Sequence, residues 1–175
     1  MHQAPCYFKG RPTRERSPLR QKLRRQSCVK APRPIGSLLA FRPDGAPHGL
    51  TINSFCSLSL TPPLVIVAID RACVFLGFFE LSGHFAVNIL DERQADLSDR
   101  FAQIPEGRFK GVDWRSGMTG SPILVGSLAV IECETHQIID AGDHRVLIGE
   151  AIAAEIGEGR PLVFFSSAYA RLDRG

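Results

Sequence analysis

The chain has 175 residues and a 44% apolar share, which suits one globular domain with a sizeable core. Its net charge of +3 hides a division: residues 1–35 carry ten Lys/Arg against one acid, and the rest carries eleven against seventeen. No apolar run approaches the about 20 residues of a membrane helix, and the five cysteines, odd in number and never spaced C-x-x-C, argue against a zinc site or a disulfide framework. Such cysteine usage, with no signal-peptide core at the start, predicts a reducing, cytoplasmic setting.

Residues 1–34 are rich in Arg, Pro, Ser and Gln and are expected to form a basic arm, disordered or loosely attached to a domain over 35–175. Within it LRQKLRR at 19–25 can form two helical turns with Leu19 and Leu23 on one face. Such an arm either neutralises phosphates of a nucleic acid or is a solvated tail. With no aromatic interleaving beyond Tyr7 and Phe8, the tail is favoured and a nucleic-acid partner is not expected.

The domain opens with a strand over 35–42, a turn at Pro43-Asp44-Gly45-Ala46, and a second strand over 48–53 that pairs back as a hairpin. His48 reads as a strand-surface histidine. Residues 56–60 alternate as a half-buried strand. Pro62-Pro63 interrupts pairing, and the continuous apolar run 64–69 reads as a strand covered on both faces. The hydroxyls and amide of Thr51, Asn53, Ser54 and Ser57 form either a shelf for a flat polar ligand or a plain turn.

Further along, 72–82 (ACVFLGFFELS) has a wide apolar face ended by Gly83 and predicts a buried helix. A strand follows over 84–90, then an amphipathic helix over 91–101 with Asp91 as N-cap and Leu97 and Phe101 on one face. A loop over 104–114 carries Phe109, Lys110 and Trp114. Strands are expected over 121–124, 127–139, 145–155 and 160–165, with a hairpin turn at 140–143 and a tail bearing Tyr169. The dinucleotide, phosphate-loop, zinc-protease and serine-hydrolase signatures are all missing, and the five histidines are scattered, so no metal site is expected.

Six motifs in fixed order carry a resemblance over residues 36–172. The first is T-x-N-S-F-x-S-x-S-x-x-P-P-L-V, at Thr51, Asn53, Ser54, Phe55, Ser57, Ser59, Pro62, Pro63, Leu64 and Val65. The others are GHFAVNIL (83–90), RFKGVDW (108–114), GSPIL (120–124), GDH (142–144) and RPLVFF (160–165). Together they resemble the short-chain flavin reductase family, the small components of two-component monooxygenases. The resemblance implies a mainly β fold with short helices, an FMN-binding split β-barrel of Greek-key-like order, working as a homodimer. It implies hydride transfer from NADH or NADPH to FMN or FAD, with reduced flavin passed to a partner monooxygenase.

It also implies a site. Thr51, Asn53, Ser54, Phe55, Ser57 and Leu58 would line the flavin, with donors aimed where negative charge grows on its pyrimidine edge. Asp70, Arg71 and Ala72 would meet the phosphate end. Phe109 and Lys110 lie where the family approaches its flavin; Lys110 is either a phosphate partner or an exposed loop lysine. His144 would be catalytic, orienting the nicotinamide or stabilising reduced-flavin charge, unless Asp143 and His144 are only turn residues. Tyr169 would be a stacking lid. One departure stands out: relatives place Ser, Thr or Arg just after the Asp-Arg pair, and here Ala72, Cys73 and Val74 follow. That departure keeps a rival open, a flavin-binding protein of the same fold without catalysis.

Overall fold

Alternating apolar residues along paired strands build the molecule from the middle outward. A computed structural model describes residues 33–41, 44–104 and 106–172. Residues 1–32 of the expected arm, with the helical turns expected at 19–25, lie outside the described residues, whereas Arg33 and Pro34 form a strand paired with Phe164 and Val163. The first elements are β1 (Arg33–Pro34), β2 (Gly36–Phe41), β3 (Pro47–Ile52), β4 (Cys56–Leu60) and β5 (Pro63–Asp70). Then come α1 (Leu76–Ser82), β6 (His84–Ile89) and α2 (Ala95–Gln103). The remainder is β7 (Trp114–Ser116), β8 (Pro122–Leu124), β9 (Ala129–Ala141), β10 (His144–Ile156), β11 (Val163–Phe165) and β12 (Ala168–Ala170).

A seven-stranded antiparallel sheet runs β3-β2-β6-β9-β10-β5-β4. Hairpins β2–β3, β4–β5 and β9–β10 are local, while β6–β9 and β5–β10 cross the chain, so strand order departs from chain order. A small sheet β1-β11-β12 and a hairpin β7–β8 complete a mainly β fold with two short helices among the described residues. Neither helix is long and apolar enough to cross a membrane.

Two cores hold it. One gathers Leu50, Ile52, Val65, Val67 and Ile69 around Phe79, Phe85, Cys133 and Leu147. The other packs Ile35, Leu39, Leu90, Leu124 and Leu162 around Phe101. Full burial of each such large side chain contributes about 1.5–3 kcal/mol. Gly149 lies where β9 and β10 shift register; a Cβ there would overlap the buried Phe85 ring and sit 2.8 Å from the Cys133 Cβ.

Several expectations are corrected. The strand read as covered on both faces buries only Val65, Val67 and Ile69, and its other face is half-open. The helix expected from 72 starts at Leu76, because the Asp70 carboxylate accepts the Ala72 N–H at 2.8 Å and its carbonyl accepts the Cys73 N–H at 2.8 Å. That helix is not buried: Phe79 alone is, while Leu81 is 74% exposed, and Gly83 closes it at φ 71°. Asp91 is not an N-cap, since its carboxylate is taken by the Arg93 backbone at 3.1 Å and side chain at 2.6 Å. Gln94 occupies that place without a side-chain cap bond. His48 is buried rather than on the surface, its ring 4.1 Å from that of Phe75.

Candidate active site

β4 and β5 form a shelf, and the end of β5 supplies its charge. β4 pairs from Cys56 opposite Ile66 to Leu60 opposite Pro63, so β5 beyond Ile66 has no β4 backbone to bond. Ser54 fills that place: its hydroxyl donates to the Ala68 carbonyl at 2.8 Å and accepts the Ala68 N–H at 3.1 Å. The Ser54 proton is thereby committed to backbone. Donation to a ligand on this shelf falls to the exposed Ser57, the half-buried Asn53 and nearby N–H groups. Leu58 stands 50% exposed, and Phe55 packs against the first core.

At the end of β5 the chain turns on Asp70. Arg71 donates its N–H to the Asp143 carbonyl at 3.0 Å, and its guanidinium pairs with Asp140 at 3.2 Å. The β5–β10 register sets His144 directly opposite Asp70. His144 Nδ1 lies 2.8 Å from the Asp143 carboxylate. A carboxylate only accepts, so Nδ1 carries the proton and Nε2 keeps its lone pair in the neutral ring.

The sequence-predicted residues therefore fall on two parts of the fold. Asn53, Ser54, Phe55, Ser57, Leu58, Asp70, Arg71, Ala72 and His144 belong to the β4–β5–β10 region. Thr51, Phe109, Lys110 and Tyr169 gather on α2 and its loop. Thr51 is buried and donates to the Ser98 carbonyl at 2.6 Å. Phe109 sits edge-on to Phe101 at 5.0 Å and to Trp114 at 6.0 Å, within the second core. Lys110 is exposed, and its carbonyl receives Arg100 at 2.7 Å. Tyr169 donates to Asp99 at 2.7 Å and contacts Ser98 at 2.9 Å; burial foremost, with nearby Asp99, pushes its phenol up to about 12.

Sequence reasoning missed an ionic chain beside Arg71. Asp140 also takes Arg145 Nε at 2.8 Å, and Arg145 reaches Glu80 on α1 with Nη1. The hydrogen bond from Arg145 foremost holds the Asp140 carboxyl below its usual range. Opposite charges five residues apart across a turn are a legible signal for the Asp140–Arg145 pair. Glu80 leaves no such signal. Arg108 of the RFK motif was also missed: it is buried, bonds the Ile104 and Gly49 carbonyls, and lies 4.3 Å over the Phe75 ring.

The donor set fits a flavin nucleotide. Leu58 and the half-open face of β5 suit an aromatic ring system, Ser57 and Asn53 a polar edge, and Arg71 a phosphate. Fold and site together define a mainly β protein in which a polar, partly exposed strand pair lies beside the charged end of β5. Residues 29–173 match the family described as the flavin reductase like domain, and the chain belongs to that family. It is 40% identical over 131 residues to the flavin-dependent monooxygenase reductase subunit HsaB of Rhodococcus jostii, covering 74% of this chain and 67% of that protein. Nitrilotriacetate monooxygenase component B from Mycobacterium thermoresistibile superposes with a TM-score of 0.83 at 34% identity, over 89% of this chain and 88% of that one. The NADH:FAD oxidoreductase SgcE6 of Streptomyces globisporus, solved with NAD and FAD fragments, gives 0.83 at 28% identity, over 93% and 98%. The split-barrel expectation holds.

Proposed function

We propose that the chain is an NAD(P)H-dependent flavin reductase that uses FMN or FAD and supplies the reduced flavin to a separate monooxygenase. The observation that carries this reading is the placement of Arg71 and His144 at the end of β5, His144 opposite Asp70 and the Arg71 N–H bonded to the neighbouring Asp143 carbonyl, beside the β4–β5 pair. A bound flavin supplies the electron sink of the reaction. Ser57, Asn53 and shelf N–H groups hold its polar edge and favour the negative charge that arrives with the hydride. Arg71 holds the phosphate. His144, oriented by Asp143, presents Nε2 toward the nicotinamide carboxamide. HsaB is the reductase subunit of a monooxygenase and SgcE6 an NADH:FAD oxidoreductase, and both support the reading.

The working unit is a homodimer, a reading supported by outward apolar side chains on β4 and β10, Leu60 at 90% and Ile156 at 88% exposure. A monomer mass by light scattering refutes it. A second reading, flavin binding without reduction, is favoured by Ala72, Cys73 and Val74, which bring no hydroxyl next to Arg71. Nicotinamide absorbance separates the two: NADH and NADPH are each mixed with protein and with FMN or FAD under air. Flavin-dependent loss above the protein-free rate establishes the reductase and selects its substrates. Retained flavin with no loss establishes the binding protein.

A further inference from the structure

The ionic chain at the end of β5 bears on how tightly the site holds its ligand. Arg71 directly follows β5, and Ala72, Cys73 and Val74 give it no hydroxyl to share an anion. Its guanidinium is already engaged by Asp140 at 3.2 Å. Asp140 is fixed in turn by Arg145, whose fork spans Asp140 and Glu80. Two arginines and two carboxylates make a neutral cluster. A phosphate bound to the remaining N–H groups of Arg71 lies within one guanidinium's width of a carboxylate, about 5–7 Å, and is repelled by it.

We propose that Asp140 is a specificity-determining residue that weakens the grip of Arg71 on phosphate-bearing flavins and so sets the site for ligand exchange rather than permanent retention. This rests on the assignment of Arg71 to the flavin phosphate. A carboxylate in that position discriminates by ligand charge: it acts on FMN and leaves riboflavin, which has no phosphate, untouched. The Asp140 side chain is 57% exposed, so its replacement removes surface charge without opening a core.

The test measures dissociation constants of FMN and riboflavin by flavin fluorescence for the full chain and for Asp140→Asn, Asp140→Ser, Asp140→Glu and Arg71→Ala, each checked for folding by circular dichroism. The Asn and Ser variants are expected to bind FMN about three- to tenfold tighter, with a steeper salt dependence, and to bind riboflavin within about twofold of the parent. The Glu variant returns FMN affinity toward the parent value. Unchanged or weaker FMN binding in both neutral variants overturns the role of Asp140, while selective loss of FMN in Arg71→Ala leaves the phosphate assignment standing. Equal FMN and riboflavin affinities in the parent and in Arg71→Ala overturn that assignment and the proposal with it.

Discussion

Replacing Glu132 by Gln strikes a buried carboxylate that organises the loop between β7 and β8. Glu132 is 3% exposed and accepts the Met118 N–H at 3.0 Å, the Thr119 N–H at 2.8 Å and the Thr119 hydroxyl at 2.8 Å. Burial alone would push its carboxyl up, but the three donors and nearby Arg115 outweigh it and leave it below the ordinary 4.5. Each hydrogen bond to a charged acceptor is worth about 1.5–3 kcal/mol. Gln keeps one acceptor oxygen and turns an NH2 toward a donor, so the expected loss is about 2–4 kcal/mol. In a domain of this size that lowers Tm by about 5–15 °C. The sign with pH is set by the lowered carboxyl. Its stabilisation is complete above the unfolded value and disappears as pH falls through the folded one. Thermal melts of parent and variant from neutral to acid pH should therefore converge at low pH. A variant within about 1 kcal/mol of the parent at pH 7, or a gap that widens on acidification, would refute the reasoning.

Gly149→Ala forces a methyl group against Phe85 and Cys133, both fully buried, and is expected to cost about 1–3 kcal/mol in urea unfolding. No change would mean that the register shift in β9–β10 relaxes freely. His144→Ala removes the group proposed to meet the nicotinamide. Turnover with NAD(P)H is expected to fall about tenfold or more, with flavin affinity held within about twofold. Equal loss of both would reassign His144 to the hairpin.

The positions of β4 and of the long β9–β10 hairpin around Gly142 were legible, but β4 is exposed along its length, with only Ser59 partly buried, and is not the half-buried strand that its alternation suggested. Leu97 and Phe101 likewise marked the face of α2 that packs inward. What the sequence hid were partners chosen by folding. Helix α1 starts at Leu76 rather than at 72 because Asp70 captures the Ala72 N–H with its carboxylate and the Cys73 N–H with its carbonyl. His48 is buried because Phe75, far along the chain, covers it. Arg71 and His144 were each readable as candidates, but their placement at one end of β5 depends on β5 pairing with β10, which no local pattern encodes. The bond between Arg145 and Glu80 spans 65 residues and follows from the same crossing.

Ser54 has a further consequence through the Ala68 backbone it bonds. Where β4 ends, β5 would present a bare N–H and C=O, the template on which a foreign strand adds and aggregates. A single hydroxyl answers both groups without laying down another strand. The edge is thereby blunted against strand addition at that point, with no further strand laid beside the residues of the candidate shelf.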